Sequence, residues 1–257
     1  MKQTVTVRNV VIGAGIPKVC VSIIGKTKEE ILSEARAINI SKADVAEWRV
    51  DWFEQVFEIE KVKETARELR EVLSEMPILF TFRTLKEGGE KEISDVYYTI
   101  LNKEIAATGS VDLIDVEAFT GDQIVEEIIE VAHQNQVFVV ASNHDFYKTP
   151  DKEEIINRLR KMQDLGADIS KIAVMPQTTQ DVLTLLQATD EMRTKYATGP
   201  IITMSMGAKG VISRVAGEFF GSALTFGARK KASAPGQMGL EELDSVLHAL
   251  HNSCRED

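Results

Sequence analysis

Residues 137–175 decide the fold class, because two apolar runs there flank one amphipathic segment. Residues 137–144 read VFVVASNH and residues 169–175 read ISKIAVM. Short runs rich in Val and Ile are typical of buried parallel strands. Between them, residues 152–165 (KEEIINRLRKMQDL) carry apolar side chains at helical spacing. The stretch therefore predicts one strand–helix–strand unit.

The same alternation extends from this unit in both directions. Six further predicted strands occupy residues 18–22, 45–52, 78–83, 111–117, 200–206 and 222–227. Predicted helices occupy residues 27–38, 60–73, 93–107, 122–133, 179–194 and 240–252, with a shorter one at 210–217. The helix at 27–38 opens with Thr-Lys-Glu-Glu, a capping-box pattern. Eight strand–helix units in 257 residues match the size of a (β/α)8 barrel, which is typically about 250 residues.

The two ends of the chain complete the predicted architecture. Val5–Val7 and Val10–Ile12 are expected to form a β-hairpin, so that residues 1–16 close the barrel floor. Residues 228–239 have loop composition and are expected to form a lid over the mouth. Residues 1–257 are thus predicted to form a single α/β domain, a (β/α)8 TIM barrel. The main alternative is a doubly wound open sheet, which usually carries a glycine-rich first turn that residues 23–27 (IIGKT) lack.

Composition and charge exclude several functional classes. The chain is 44% hydrophobic and 27% charged, and no apolar run approaches the roughly 20 residues of a membrane span. A net charge of -10 argues against a nucleic-acid partner. Neither Cys20 nor Cys254 belongs to a disulfide framework or a metal-binding pattern. We expect a cytoplasmic protein with no membrane partner and no metal.

Polar residues near strand ends are the candidates for function, because chemistry in such barrels sits at the C-terminal ends of the strands. The second predicted strand places Glu47, Arg49 and Asp51 on one face. Charges that point into a barrel cost free energy unless they are paired or functional. Arg83, at the end of the third strand, could clamp an anion or a hydroxyl. A purely structural ion pair remains the alternative for each of these residues.

A histidine and a lysine are the candidates for the chemistry itself. Among four histidines, only His144 lies at a strand exit, where it could act as general acid and base. Lys171 lies inside the sixth apolar run, and a buried neutral amine can attack a carbonyl. The alternative is a lysine that extends out of the barrel bottom. Met204 and Met206 share a face and could form either an apolar wall or ordinary core. Together these residues favour carbonyl chemistry through an imine.

Eight short motifs together resemble the type I 3-dehydroquinase family. They are residues 47–51 (EWRVD), 82–83 (FR), 86–90 (KEGGE), 144–146 (HDF), 171–176 (KIAVMP), 205–207 (SMG), 212–214 (ISR) and 233–237 (SAPGQ). Each motif is weak alone, but in this order they are specific and span the chain from the first strand to the last loop. The resemblance implies a homodimeric lyase that converts 3-dehydroquinate to 3-dehydroshikimate. It implies syn elimination of water through a lysine Schiff base, as the third step of the shikimate pathway to chorismate and the aromatic amino acids.

The resemblance also implies a role for each matching residue. Lys171 would form the imine with the C3 ketone, and His144 would remove a C2 proton and protonate the departing C1 hydroxyl. Glu87 would orient the histidine, although composition alone reads residues 87–90 as a charged turn. Cofactors are expected to be absent apart from the covalent imine. The predicted substrate-binding residues are Arg214 for the carboxylate, Glu47, Arg49 and Arg83 for the ring hydroxyls, Ser233 and Gln237 in the lid, and Met204, Met206, Phe226 and Ala234 as the wall.

Two other functions fit part of the sequence. A Schiff-base aldolase that acts on a sugar phosphate would need a phosphate cradle after strands seven and eight. Residues 207–210 (GAKG) could serve as that cradle, but the SAPGQ loop argues against it. A non-catalytic sensor of a cyclic acid would keep the arginines without needing Lys171 and His144 together. The presence of both residues favours the lyase.

Overall fold

The computed structural model describes residues 4–229 and 232–254. Strands and helices alternate along the chain. The strands are β1 (Val5–Val7), β2 (Val10–Ile12), β3 (Lys18–Ile23), β4 (Val45–Arg49), β5 (Ile78–Thr81), β6 (Leu113–Glu117), β7 (Phe138–Asp145), β8 (Ile169–Val174), β9 (Ile201–Ser205), β10 (Leu224–Ala228) and β11 (Met238–Gly239). The helices are α1 (Lys28–Asn39), α2 (Ile59–Leu73), α3 (Asp95–Ala106), α4 (Asp122–Gln134), α5 (Lys152–Asp164), α6 (Thr179–Glu191), α7 (Val211–Val215), α8 (Gly217–Phe220) and α9 (Leu240–Ser253).

Eight parallel strands form a closed barrel. The hydrogen-bonded order runs from β10 to β3 and then in sequence through β9. A bridge between Ile201 and Ser222 joins β9 to the segment before β10, and the Ala223 N–H donates to the Ile201 carbonyl at 2.8 Å. The predicted (β/α)8 barrel is therefore confirmed.

The hairpin of β1 and β2 covers one end of the barrel. Val5, Val7 and Ile12 are buried in one apolar cluster with barrel residues such as Val45 and Leu113, the first residues of β4 and β6. The hairpin therefore lies at the N-terminal ends of the strands, which leaves the C-terminal ends for the site. This arrangement confirms the predicted floor.

Most element boundaries agree with the sequence, and the exceptions have local causes. The capping box is present, because the Thr27 side chain accepts from the Glu30 N–H and the Glu30 carboxylate accepts from the Thr27 N–H. The predicted strand 45–52 is too long, since residues 50–52 turn into a 3-10 helix. The predicted helix 210–217 is two short helices, α7 and α8. None of the helices in the described ranges is long and apolar enough to cross a membrane.

Candidate active site

A pocket opens at the C-terminal ends of the strands and collects nearly all of the predicted site residues. It is lined by Glu47, Arg49, Arg83, Glu87, Gly88, His144, Phe146, Lys171, Ala173, Met204, Met206, Phe226, Ser233, Ala234 and Gln237. Of the residues given a role by the family resemblance, only Arg214 lies outside this lining, and the further sequence candidate Asp51 lies outside it as well.

Lys171 lies at the bottom of the pocket. It belongs to β8, its side chain is 3% exposed, and the alternation of the strand turns it into the barrel while Ile172 packs in the outer core. Its Nζ lies 2.9 Å from Oδ2 of Asp115 and 4.8 Å from the ring centre of Phe226. The alternative of a lysine extending out of the barrel bottom is therefore wrong.

Asp115 is a site residue that was not singled out from the sequence. It lies on β6, fully buried, and its Oδ1 accepts from Arg83 at 2.7 Å and from the Ser142 hydroxyl at 2.6 Å. Burial alone would raise the pKa of Asp115, but Arg83 and Lys171 outweigh that effect and hold the pKa well below its usual value. A buried carboxylate thus stays ionised beside the lysine.

Glu87 and His144 form a hydrogen-bonded pair above the lysine. Oε2 of Glu87 accepts from the His144 backbone N–H at 2.9 Å and lies 2.9 Å from the ring Nδ1. Its Oε1 accepts from the Asn143 amide at 3.0 Å. When Glu87 is ionised, its oxygens only accept hydrogen bonds, so the ring proton then lies on Nδ1 and Nε2 is left as the basic nitrogen. Glu87 is therefore buried in the site and does not belong to a solvated turn.

The surroundings keep this histidine neutral. Burial, followed by the positive charges of Arg83 and Lys171, lowers the pKa of His144 well below its usual value. Burial and the charge of Glu117 raise the pKa of Glu87. A neutral imidazole can accept a proton at neutral pH, as a general base must.

Two of the three arginines predicted to bind substrate, Arg49 and Arg83, are also held in structural ion pairs. Arg49 forms a two-pronged pair with Asp51, with both N–O distances at 2.8 Å. The sequence pattern predicts Asp51 on the same strand face as Arg49. Asp51 instead lies in the 3-10 turn after β4, and this turn, rather than strand alternation, brings it to Arg49. Arg83 binds Asp115 and Glu117, the latter at 2.9 Å. Both arginines still line the pocket, so the structural and functional interpretations coexist.

Glu47 and Arg214 complete the polar shell. Glu47 accepts from the hydroxyls of Ser22 and Thr81. Arg214, on α7, is 1% exposed and donates to the Pro235 carbonyl at 2.9 Å. Among residues 4–229 and 232–254, no carboxylate acts on the charge of Arg214, and burial lowers its pKa to about 10. A buried guanidinium without a carboxylate partner is suited to bind an anion.

The loop after β10 lies across the mouth. Ser233 Oγ is 2.8 Å from Ser22 Oγ and accepts from Gln237 Nε2 at 3.0 Å. The Pro235 carbonyl also accepts from the Gly207 N–H at 3.2 Å. Residues 230 and 231 of the predicted lid lie outside the described residues. The part that the structure describes is tied to β3 and to the turn after β9.

No group of three or more His, Cys, Asp or Glu in the described part of the chain is arranged to hold a metal ion. The fold and the pocket define a class of protein, the (β/α)8-barrel enzymes whose site lies at the C-terminal ends of the strands. The model of the type I 3-dehydroquinase family matches residues 19–254. The chain belongs to this family.

Individual relatives agree with the family match. The chain is 60% identical over 253 residues to a 3-dehydroquinate dehydratase of Clostridium botulinum, covering 98% of this chain and all of the relative. A crystal structure of the type I enzyme from Clostridium difficile, with covalently modified comenic acid, superposes with a TM-score of 0.96 at 59% identity and covers 98% of this chain and 100% of that one. The Geobacillus kaustophilus enzyme gives a TM-score of 0.96 at 37% identity, over 99% and 100% of the two chains. The predicted dehydratase activity and its place in the shikimate pathway are confirmed.

Proposed function

We propose that Lys171 carries the covalent step of this dehydration and that His144 carries the proton transfers. The observation that supports this most strongly is that Lys171 and His144 line one pocket, with Lys171 paired to Asp115 and His144 to Glu87. A single small substrate could contact both groups at once. In this proposal, Asp115 and Glu87 position the two reactive side chains and do not react themselves.

The chemistry needs a strong electron sink. The ammonium of Lys171 gives up one proton to water, and its neutral Nζ attacks the C3 ketone of 3-dehydroquinate. The ketone oxygen takes up that proton and one from the attacking amine and leaves as water, which forms an iminium. The iminium accepts the electrons released when His144 Nε2 removes a C2 proton. These electrons then return to expel the C1 hydroxyl, which takes the proton from the same histidine and leaves as water. Hydrolysis of the imine releases 3-dehydroshikimate. One histidine serves both steps if the elimination is syn.

The remaining predicted residues would bind and enclose the substrate. Arg214 is assigned the substrate carboxylate because it is a buried cation, and no carboxylate among the described residues balances its charge. Glu47, Arg49 and Arg83 would bind ring hydroxyls from within the pocket lining. Ser233 and Gln237 would close the mouth and limit competing water. The apolar wall would be formed by Met204, Met206, Phe226 and Ala234.

Several broader properties are part of the same proposal. The imine supplies the electron sink, so no cofactor or metal is required. Residues 1–257 would form one catalytic domain that assembles into a homodimer, on the resemblance to its family. The free thiols of Cys20 and Cys254 support a reducing, cytoplasmic location. The net charge of -10 supports the absence of a nucleic-acid partner, and no membrane partner is proposed.

Borohydride trapping tests the proposal. The protein is incubated with 3-dehydroquinate, reduced, and analysed by intact mass and peptide mapping. We expect a dehydrated adduct on Lys171, none in Lys171→Ala, and an undiminished adduct in Lys195→Ala, whose side chain is 61% exposed. Product formation without any adduct would overturn the role of Lys171. An adduct on another lysine would also contradict the proposal.

A further inference from the structure

A chain of hydrogen bonds connects the outside of the barrel to the catalytic histidine. Arg158, on α5, donates from Nη1 to Oδ1 of Asn143 at 3.0 Å. The Asn143 amide donates to Oε1 of Glu87 at 3.0 Å, and Oε2 of Glu87 lies 2.9 Å from Nδ1 of His144. Asn143 and His144 are consecutive on β7, so their side chains leave the strand on opposite faces. Glu87 is the group on which both converge.

This arrangement fixes which way the amide of Asn143 points. A guanidinium only donates hydrogen bonds, and an ionised carboxylate only accepts them. With Arg158 on one side and Glu87 on the other, only one orientation of the amide satisfies both neighbours. Reversing the amide would place its oxygen against the carboxylate and its NH2 against the guanidinium. Arg158 therefore selects the orientation that gives Glu87 an N–H donor.

Arg158 is itself held in place. Its Nε donates to Oε1 of Glu154 at 2.7 Å, one turn earlier on α5. Its guanidinium carbon lies 5.9 Å from the ring centre of Phe119, and its Nη1 lies 3.9 Å from Oδ2 of Asp145. The side chain is 21% exposed. The planar, forked guanidinium can meet these partners at once, whereas a lysine ammonium could not.

We propose that Arg158 is a positioning residue for the pair of Glu87 and His144, and that it acts through Asn143. This inference rests on the proposed function, in which His144 is the base. Among the described residues, the amide of Asn143 is the hydrogen-bond donor to Oε1 of Glu87. Without a fixed amide, the carboxylate keeps the His144 N–H as a donor to Oε2 but loses its donor to Oε1, so the imidazole is oriented less precisely toward C2. Imine formation on Lys171 is spared, because Asp115 holds that side chain.

The test compares Arg158→Gln with Arg160→Gln. Arg160 lies on the same helix, with its guanidinium 4.9 Å from the ring centre of Tyr196, and it is not part of the hydrogen-bond chain. We expect Arg158→Gln to lower kcat about 10-fold, roughly the effect of one lost hydrogen bond. KM should stay within about twofold, because substrate contacts are unchanged. Arg160→Gln should match the wild type.

Two readouts separate positioning from a merely structural effect. With substrate deuterated at C2, the isotope effect on kcat should rise in Arg158→Gln, because proton removal becomes slower than the other steps. Rapid borohydride quenching should trap more of the imine that still carries its C1 hydroxyl. Arg158→Lys should restore part of the rate, since an ammonium can still donate to Asn143. An unchanged isotope effect together with an unchanged kcat would overturn the inference.

A double-mutant comparison tests the route through Asn143. If Arg158 acts through that amide, Arg158→Gln should cost no further activity in an Asn143→Ala background. Independent, multiplying losses would overturn the inference. Failure of the proposed function would look different, since the wild type and Arg160→Gln would then form no trapped adduct on Lys171.

Discussion

The carboxylate of Asp115 and the amine of Lys171 lie 2.9 Å apart inside the barrel, and neither side chain is more than 3% exposed. An ammonium at this depth would be costly without an opposite charge, and β6 supplies one. The same carboxylate binds Arg83, so one aspartate anchors the proposed nucleophile and a proposed binding residue together.

Asp115→Asn should therefore weaken both the fold and the chemistry. Removing one partner of a buried ion pair leaves an uncompensated charge, so we expect the free energy of unfolding to fall by about 3 kcal/mol. kcat/KM should fall at least about 10-fold, because Lys171 loses its anchor. Urea unfolding and steady-state kinetics measure the two effects. Asp122→Asn, at a side chain that is 59% exposed, is the control and should change stability by less than about 0.5 kcal/mol.

The pH dependence of kcat/KM should report the lowered pKa of His144. Below its pKa the imidazole holds a proton and cannot act as base, so activity falls on the acid side. Because burial, Arg83 and Lys171 lower the pKa, that fall should lie below the usual histidine value of 6.5. Glu87→Gln replaces a carboxyl group, whose pKa burial and Glu117 raise, by an amide that cannot ionise. The maximal rate should decrease, and the acid-side fall should not move to higher pH. A shift to higher pH would contradict this assignment of the pair.

Arg214→Met should weaken substrate binding and stabilise the substrate-free protein against unfolding. A buried guanidinium without a carboxylate partner destabilises the free protein, so its replacement by an apolar side chain should raise the free energy of unfolding by about 1 kcal/mol. KM should rise about 10- to 100-fold, because the substrate carboxylate loses a charge-assisted hydrogen bond. Thermal unfolding without substrate and steady-state kinetics check both. Arg36→Met, at an exposed position, should alter neither. A lower KM would remove Arg214 from substrate binding.

Gly236 should be needed for the loop to settle over the pocket. Its φ is +78°, and a Cβ there would collide with the backbone of Gly207. Gly236→Ala should therefore lower kcat/KM about 10-fold, through a backbone strain of about 1 to 3 kcal/mol at the mouth.

The matched control for this prediction is Gly109→Ala. Gly109 has a φ of +67° but open space around the position of a Cβ. This variant carries the cost of a left-handed backbone without a collision, so it should lose about 1 kcal/mol of stability and keep its activity. Equal activity in both variants would mean that contact between Gly236 and Gly207 is unimportant.

The barrel and much of the pocket could be predicted from the sequence because both follow from alternation along single strands. The hairpin strand Val10–Ile12 and the eight apolar runs show patterns that are typical of strands. The cap at Thr27 depends only on residues 27–30, so it is also visible in the sequence. Lys171 and His144 are polar residues at positions where a barrel strand is otherwise apolar. To predict that both lie in one pocket, only one rule was needed: the C-terminal ends of the barrel strands face the same opening.

Asp115 and Asn143 could not be found this way, because their importance depends on distances across the barrel. Asp115 contacts Lys171 although β7 lies between their strands, so the contact depends on the curvature of the sheet. One signal was present. Asp115 and Glu117 alternate on β6 as Glu47 and Arg49 do on β4. Asn143 gave no signal, since its role depends on a helix side chain and a loop carboxylate.

The hairpin formed by β1 and β2 has a consequence for the catalytic cycle. It packs against the N-terminal ends of the strands, opposite the pocket that the loop of Ser233 and Pro235 borders, so in the proposed cycle reactant, released water and product pass on the side of that loop. If the loop closes as proposed, it opens twice in each turnover, once for arrival and once for departure. The frequency of these openings would then set an upper limit on turnover that faster chemical steps could not raise.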